Sequence, residues 1–298
     1  MDGFINFNKD TGIASTKALD GIKRATGQPK AGFLGTLDPI ASGILPVALG
    51  WGTKLFPYFE KMPKTYRAQI LFGSETDTQD SSGTVTATAP VEHLTKEAVA
   101  GGLVKFTGEI MQVPPMFSAK KVGGQRLYRI ARKGGEVERE AKKVVVHSVE
   151  LVEFSPASAV IRATVSQGTY IRTLCEDLGR HLQSAAHMGA LEREQVHSFT
   201  LADSWNIARL EDRRDHPEEW LLPLDFPLSF MPRFDATARD ERLLTSGQPA
   251  GYIGKESGLI RLYAPEGRFF GLGKADAIGR KILPAKIMPP VAAPFSAR

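Results

Sequence analysis

Residues 32 to 52 carry five glycines, Gly32, Gly35, Gly43, Gly50 and Gly52. Such density implies tight turns and close backbone approach rather than long regular elements. Around this stretch, short strands and helices follow one another without βαβ alternation. Phe4-Ile5-Asn6-Phe7 alternates like a short strand, and Ser15 is placed to cap a helix running through Ala18 and Ile22 to about Arg24. Lys64 to Phe72 predicts a strand with Tyr66, Ala68 and Ile70 on one face. A polar turn over residues 76–83 precedes a short strand from Thr84 to Thr88, and Thr95 is placed to cap a helix from Lys96 to Phe106. After the break at Val113-Pro114-Pro115-Met116, Val144 to Phe154 and Ala159 to Val165 predict a strand pair. Gly168 then precedes a helix through Leu174, Leu178 and Leu182. Pro223, Pro227 and Pro232 suggest a domain boundary near residue 230. Short strands beyond it, at 259–263 and 269–273, suggest a small β-rich module. The expected class is therefore α+β with a mainly antiparallel central sheet.

Charge is distributed unevenly. The whole chain carries a formal +5, yet residues 114–143 hold nine basic residues (Lys120, Lys121, Arg126, Arg129, Arg132, Lys133, Arg139, Lys142 and Lys143) against three glutamates, a net +6. A concentrated basic element on a near-neutral body suits phosphate contact. With 42% hydrophobic and 24% charged residues, the chain can build a core and does not look disordered. Cys175 is the single cysteine, so no intramolecular disulfide forms and a cytoplasmic setting is expected. Met1 to Phe7 lacks a signal-peptide pattern, and no apolar run approaches a membrane span. The six histidines show no metal-ligand spacing, no Gly-x-Ser-x-Gly elbow occurs, and Gly271-Leu272-Gly273-Lys274 lacks the spacing of a phosphate loop.

Asp38 stands in an apolar, glycine-rich setting, Gly32-Phe33-Leu34-Gly35-Thr36-Leu37-Asp38-Pro39-Ile40-Ala41-Ser42-Gly43. On its own, an aspartate followed by proline also fits a helix N-cap with proline at the first helical position. The stretch resembles the signature of the TruB-type tRNA pseudouridine synthases, Gly-x-Leu-Asp-Pro-x-Ala-x-Gly around a nucleophilic aspartate. Further motifs are similar to this family's, in its order: Lys9 with Gly12-Ile13-Ala14-Ser15, Lys64-Thr65-Tyr66-Arg67, Gly73 to Asp80, Val113 to Lys120, and Gly168-Thr169-Tyr170-Ile171-Arg172 followed by Asp177-Leu178-Gly179. They cover most of residues 4–200, and the tail resembles the family's C-terminal RNA-binding module more weakly.

The resemblance implies a pseudouridine synthase domain over 1–230, with an RNA-gripping insertion at about 114–143, and a small PUA-like module over 231–298. It implies isomerisation of uridine at position 55 in the T-loop of tRNA, with the base flipped out. Asp38 would be the nucleophile, kept ionised by Arg172. Tyr66 would stack on the uracil near carbon 5, Tyr170 would pack beneath the base or hydrogen-bond near the nucleophile, and Leu191 would line the pocket. Lys9 would contact phosphate or buttress the active-site loop. The expected partner is the T stem-loop of tRNA, with no cofactor, no metal, no membrane and no obligate protein partner, in a monomer. Competing expectations are a tRNA-binding chaperone with little catalysis and a synthase acting on another structured RNA. The sequence departs from the family pattern at Phe33, where histidine is usual, and also at Leu34, Asp10 and Glu192. Phe33 can still stack or wedge into the RNA loop, but it cannot donate a hydrogen bond.

Overall fold

Apolar alternation sets the first strand. In β1 (Gly3–Lys9), Ile5 and Phe7 join one core cluster and Phe4 another. The computed structural model describes residues 1–118, 121–122, 124–131, 134–135 and 137–289. Helix α1 (Ser15–Thr26) buries Ala18, Ile22 and Ala25 in the Ile5/Phe7 cluster, and it stops where Gly27 takes the left-handed conformation at φ 66°. Its N-cap is Ala14, not Ser15 as the sequence suggested. The Ser15 hydroxyl donates to the Leu37 carbonyl and accepts from the Leu37 amide, both at 2.9 Å, so a distant loop has claimed the capping group.

The glycine-rich stretch also departs from expectation. After β2 (Ala31–Phe33) it contains a nine-residue strand, β3 (Ala41–Leu49), which is a long regular element. Asp38-Pro39 opens no helix. The Ala41 amide donates to the Asp38 carbonyl at 3.0 Å, closing a turn that feeds β3. In β3, Leu45, Val47 and Leu49 enter the α1 cluster while Ile44 and Ala48 enter the cluster on the opposite face, so this strand is buried on both sides.

The other strands of the main body are β4 (Lys64–Phe72), β5 (Ser74–Thr76), β6 (Val85–Thr88), β7 (Gly108–Gln112), β8 (Lys121–Val122), β9 (Gln125–Arg126), β10 (Lys142–Ser155), β11 (Ser158–Val165), β12 (Ala186–Val196) and β13 (Phe199–Thr200). The central sheet runs β1-β3-β12-β4-β11-β10-β7, with β2 and β13 attached to β3 and β12. Its pairings are antiparallel except for β12 with β3. Helices α2 (Lys96–Lys105) and α4 (Ile171–His181) cover one face. Val99 and Leu103, and Ile171, Leu174, Cys175 and Leu178, pack there on Ala68, Ile70, Ile161 and Ala163. Thr95 caps α2 by accepting from the Ala98 amide, as expected. Cys175 is an inert core residue whose thiol is pushed up by burial.

The basic segment contains β8, β9 and then α3 (Leu127–Ala131), and it ends in the first residues of β10. Lys120, Arg132 and Lys133 lie outside the described residues, as do the side chains of Lys121, Arg126 and Arg129. Helices α5 (Ile207–Asp212) and α6 (Pro217–Trp220) follow β13. A second sheet, ordered β14-β16-β17-β18-β15, is built from β14 (Arg233–Asp235), β15 (Ala250–Gly251), β16 (Gly258–Tyr263), β17 (Phe269–Asp276) and β18 (Lys281–Ile287), with α7 (Ala238–Thr245) beside it. Leu272, Phe269 and Met288 pack into the same cluster as Phe199, Leu228 and Met231. The Tyr263 hydroxyl donates to the Asp225 carboxylate across this junction, and burial together with that carboxylate pushes the phenol up to about 12.

One contact shows why a glycine sits inside β3. Gly43 pairs with Arg193 across the parallel seam at φ 101°, and a Cβ there would stand 2.3 Å from the Arg193 carbonyl oxygen. Gly43→Ala is therefore expected to lower stability by about 2–4 kcal/mol, from backbone strain plus forced separation of the strands. Urea denaturation checks this; a change below about 1 kcal/mol would show that the seam yields easily.

Candidate active site

The turn that carries Asp38 is tied down from several directions. Pro39 accepts from the Gly12 amide at 2.7 Å, Ile40 accepts from the Thr11 hydroxyl at 2.8 Å, and Leu37 exchanges bonds with Ser15. From β12, Arg193 donates through Nε to the Ile44 carbonyl at 2.6 Å and through Nη2 to the Gly35 carbonyl at 2.8 Å. A loop with this many fixed carbonyls and amides holds its one outward carboxylate in place, as a reacting group requires. The Asp38 side chain is 41% exposed, open to a cavity rather than sealed in the core.

Arg172 meets it from the first turn of α4. Nη2 lies 3.1 Å from Asp38 Oδ2 and donates to the Phe117 carbonyl at 2.8 Å. Nη1 donates to the Thr78 carbonyl at 2.9 Å and lies 3.7 Å from Asp80 Oδ2. A cation at a helix N-terminus opposes the helix dipole, so this position needs compensation. Two carboxylates and two carbonyls supply it, and they account for a buried arginine where an exposed one would be ordinary. Asp80 is itself buried. Its Oδ1 accepts from the Thr78 hydroxyl at 2.8 Å and the Ser82 amide at 3.0 Å. The turn over residues 76–83 therefore exists in part to present a carboxylate and a carbonyl to Arg172.

Tyr66 on β4, Tyr170 at the N-cap of α4 and Leu191 on β12 complete the walls of a cavity of about 310 Å³, which also contacts Asp38, Arg172, Lys64 and Arg193. Tyr170 is fixed through its backbone. Its amide donates to the Gln112 side-chain oxygen at 2.8 Å, and its carbonyl accepts from the Gln112 amide nitrogen at 3.0 Å. The cavity thus offers an ionic carboxylate–guanidinium pair at one side and two phenol rings and a leucine for a planar ring.

Five of the seven residues singled out from the sequence, Asp38, Tyr66, Tyr170, Arg172 and Leu191, line this one cavity. The other two stand elsewhere. Phe33 pairs with Val47 on β2 and packs half-buried against the α1 cluster, immediately ahead of Leu34 at the cavity wall. Lys9 is fully buried, and its ammonium donates to the carbonyls of Asp10 and Ile13 at 2.8 Å each. It is not the solvated lysine that position would ordinarily hold. Burial lowers its pKa to about 8, against smaller raising effects of Asp10 and Asp38. Lys64, Asp80, Gln112 and Arg193 were missed. Asp80 bonds Thr78 and Ser82 nearby, but the contacts that bring these four residues to the site are made to residues distant in sequence or to backbone carbonyls, neither of which leaves a local pattern. Among the described residues, no group of three or more histidine, cysteine, aspartate or glutamate side chains could hold a metal ion.

Comparison with known proteins follows the same lines. Residues 23–171 match the TruB family pseudouridylate synthase N-terminal domain, and residues 172–229 match the tRNA pseudouridylate synthase B C-terminal domain. A tRNA pseudouridine synthase B of Symbiobacterium thermophilum is 45% identical over 80% of both chains. One of Aromatoleum aromaticum is 40% identical over 94% of this chain and 90% of its own. Among solved structures, one described as an H/ACA RNP bound to a substrate RNA containing 2′-deoxyuridine superposes with a TM-score of 0.72 at 21% identity, covering 97% of this chain and 85% of the other. A Cbf5-Nop10-Gar1 complex superposes at 0.71 and 24% identity, covering 92% and 78%. At such identities these structures show that the fold is shared, including a curled C-terminal sheet like a PUA module. With the sequence matches on both halves of the body and this cavity between them, the chain belongs to the TruB family of pseudouridylate synthases.

Proposed function

We propose that this protein isomerises uridine to pseudouridine in tRNA, at position 55 of the T-loop, with Asp38 as nucleophile. The observation that carries this reading is the Arg172 guanidinium 3.1 Å from Asp38 in a cavity walled by Tyr66 and Tyr170. The reaction breaks the bond between the ribose anomeric carbon and N1 of uracil, turns the base, and joins the same carbon to C5. The C5 hydrogen leaves as a proton and N1 gains one, so no net oxidation occurs and the rearrangement needs no redox cofactor. Asp38 holds the system together as a covalent adduct while the base turns. Tyr66 stacks on the ring close to C5, Tyr170 supports it from below, and Leu191 limits how far it can swing.

A stacked uridine cannot reach a carboxylate inside a cavity, so the base must be flipped. The basic segment 114–143 is suited to grip the stem-loop by its phosphates. Its root touches the chemistry, since Phe117 accepts from Arg172. Phe33, one residue from the cavity wall, wedges the opened loop by stacking. In this reading residues 1–230 form the catalytic domain and 231–298 an RNA-binding module. The protein works as a monomer in the cytoplasm, without an obligate protein partner. No helix among the described residues is long and apolar enough to cross a membrane.

The test uses tRNA transcript labelled with tritium at C5 of uracil. Release of tritium to water, with the modified position mapped to 55, is expected. Tight tRNA binding without any release would favour the chaperone reading and sink this one, and release from other positions only would move the substrate.

A further inference from the structure

Two buried cations at the far end of the cavity have no counter-ion. Lys64 is 7% exposed and Arg193 1%, and among the described residues neither has a carboxylate within ion-pair distance. Burying a charge without an opposite one is costly, and two like charges side by side add to that cost. Lys64 registers both effects. Its pKa is lowered to about 8, first by burial and then by Arg193, with Glu60 a smaller opposing influence. Its ammonium reaches the carbonyls of Glu60 and Met62 only at 3.2 and 3.4 Å, and with three donors it retains at least one to offer. Arg193 uses Nε and Nη2 to hold the loop, which leaves Nη1.

Both groups converge on Gly35. A Cβ at that position would stand 3.2 Å from Arg193 Nη1 and 3.5 Å from Lys64 Cε, so the glycine lets the loop backbone lie close against the pair where both border the cavity. Glu60 lines the same end, and two cations against one carboxylate leave it net positive. Gly35 is three residues from Asp38, which bounds the backbone separation at roughly 11 Å, so the pair and the carboxylate border the same cavity at short range.

We propose that Lys64 and Arg193, beside Gly35 at the cavity wall, form a phosphate subsite that holds one phosphodiester flanking the extruded uridine while its base lies at Asp38. The inference rests on the reading above, that the cavity takes a nucleotide of RNA. The anion supplies the missing counter-charge, so the subsite is complete only with substrate bound. Lys64 is then a positioning residue that sets where the ribose sits relative to the nucleophile.

The experiment uses a T stem-loop RNA with C5-tritiated target uridine. In turn, the 5′ or the 3′ linkage of that uridine is replaced by a neutral methylphosphonate, with the flanking sugar 2′-O-methylated. The control carries the same sugar and an ordinary phosphate. Wild type is expected to lose about tenfold in kcat/KM for one of the two linkages, the scale of one charge-assisted hydrogen bond. Lys64→Gln should lose a similar factor on the control RNA and nothing further on that methylphosphonate, while Lys64→Arg should keep the wild-type sensitivity. Non-additivity of this kind is not produced by a residue that merely supports the fold. Additive losses in Lys64→Gln, or no wild-type loss at either linkage, would overturn the subsite. If Lys64→Gln does not fold, the wild-type measurement still tests the subsite, because no loss at either linkage overturns it. If wild type releases no tritium from the control RNA, the synthase reading has failed instead, and Kd values for the same RNAs decide the subsite separately.

Discussion

Replacing Asp38 with asparagine should lower tritium release by on the order of 10⁴-fold or more while leaving tRNA affinity within about threefold. The amide is nearly the same shape. The turn that presents residue 38 is closed by its backbone carbonyl, so the loop keeps its form. What is lost is the negative oxygen that can attack and later leave. The side chain is 41% exposed and, among the described residues, makes one ion pair, so stability should move by no more than about 1 kcal/mol. Rapid-quench assays of release, with affinity measured in parallel, check the split. Turnover above about a tenth of wild type would show that Asp38 does not react. A fall in binding equal to the fall in rate would show that it only helps to hold RNA.

Arg172 should fail differently. Arg172→Lys keeps the charge but has one nitrogen in place of the two that now reach Asp38, Asp80, Thr78 and Phe117. The expected result is a loss of about 10²–10³-fold in kcat with KM changed by no more than about threefold, because orientation is lost rather than binding. Arg172→Ala should also unfold more easily, by about 3–5 kcal/mol, since Asp80 would be left buried without its cation. Asp38 contributes little to that figure because water can replace its partner. Urea midpoints for both variants, beside their kinetics, separate the two effects. Full turnover in Arg172→Lys would mean that point charge alone suffices.

Local signals were legible where a segment's neighbours in sequence decide its structure. Tyr66, Ala68 and Ile70 alternate, and β4 occupies the Lys64–Phe72 span they predict. Thr95 before α2 was equally plain. β3 was obscured because Gly43 and Pro46 look like breakers. Gly43 is tolerated for a reason that lies far along the chain, since it makes room for Arg193, and Pro46 keeps its carbonyl in use by accepting from the Leu34 amide. Ser15 looked like a cap because the cap pattern is local and its true partner, Leu37, is not. In the site, Asp38, Tyr66, Tyr170 and Arg172 came from family motifs, whose order in the chain stands in for distance in space. Asp80 was visible only as part of a polar turn, although the motif that contains it was recognised. Arg193 gave no signal, because an arginine that bonds carbonyls 149 and 158 residues away has no partner that spacing could reveal.

The placement of β12 has a consequence for how the active site comes into being. It lies between β3 and β4, which precede it by more than a hundred residues. Until it inserts, the chain holds two half-sheets, β1-β3-β2 and β4-β11-β10-β7, each with an unpaired inner edge. Such edges are sticky, and closing so long a loop is slow. The strand that joins them also brings Leu191 and Arg193 to the cavity. On the ribosome, Asp38 is therefore made early and enclosed late: a nascent chain carries this carboxylate through most of synthesis before β12 completes the cavity around it.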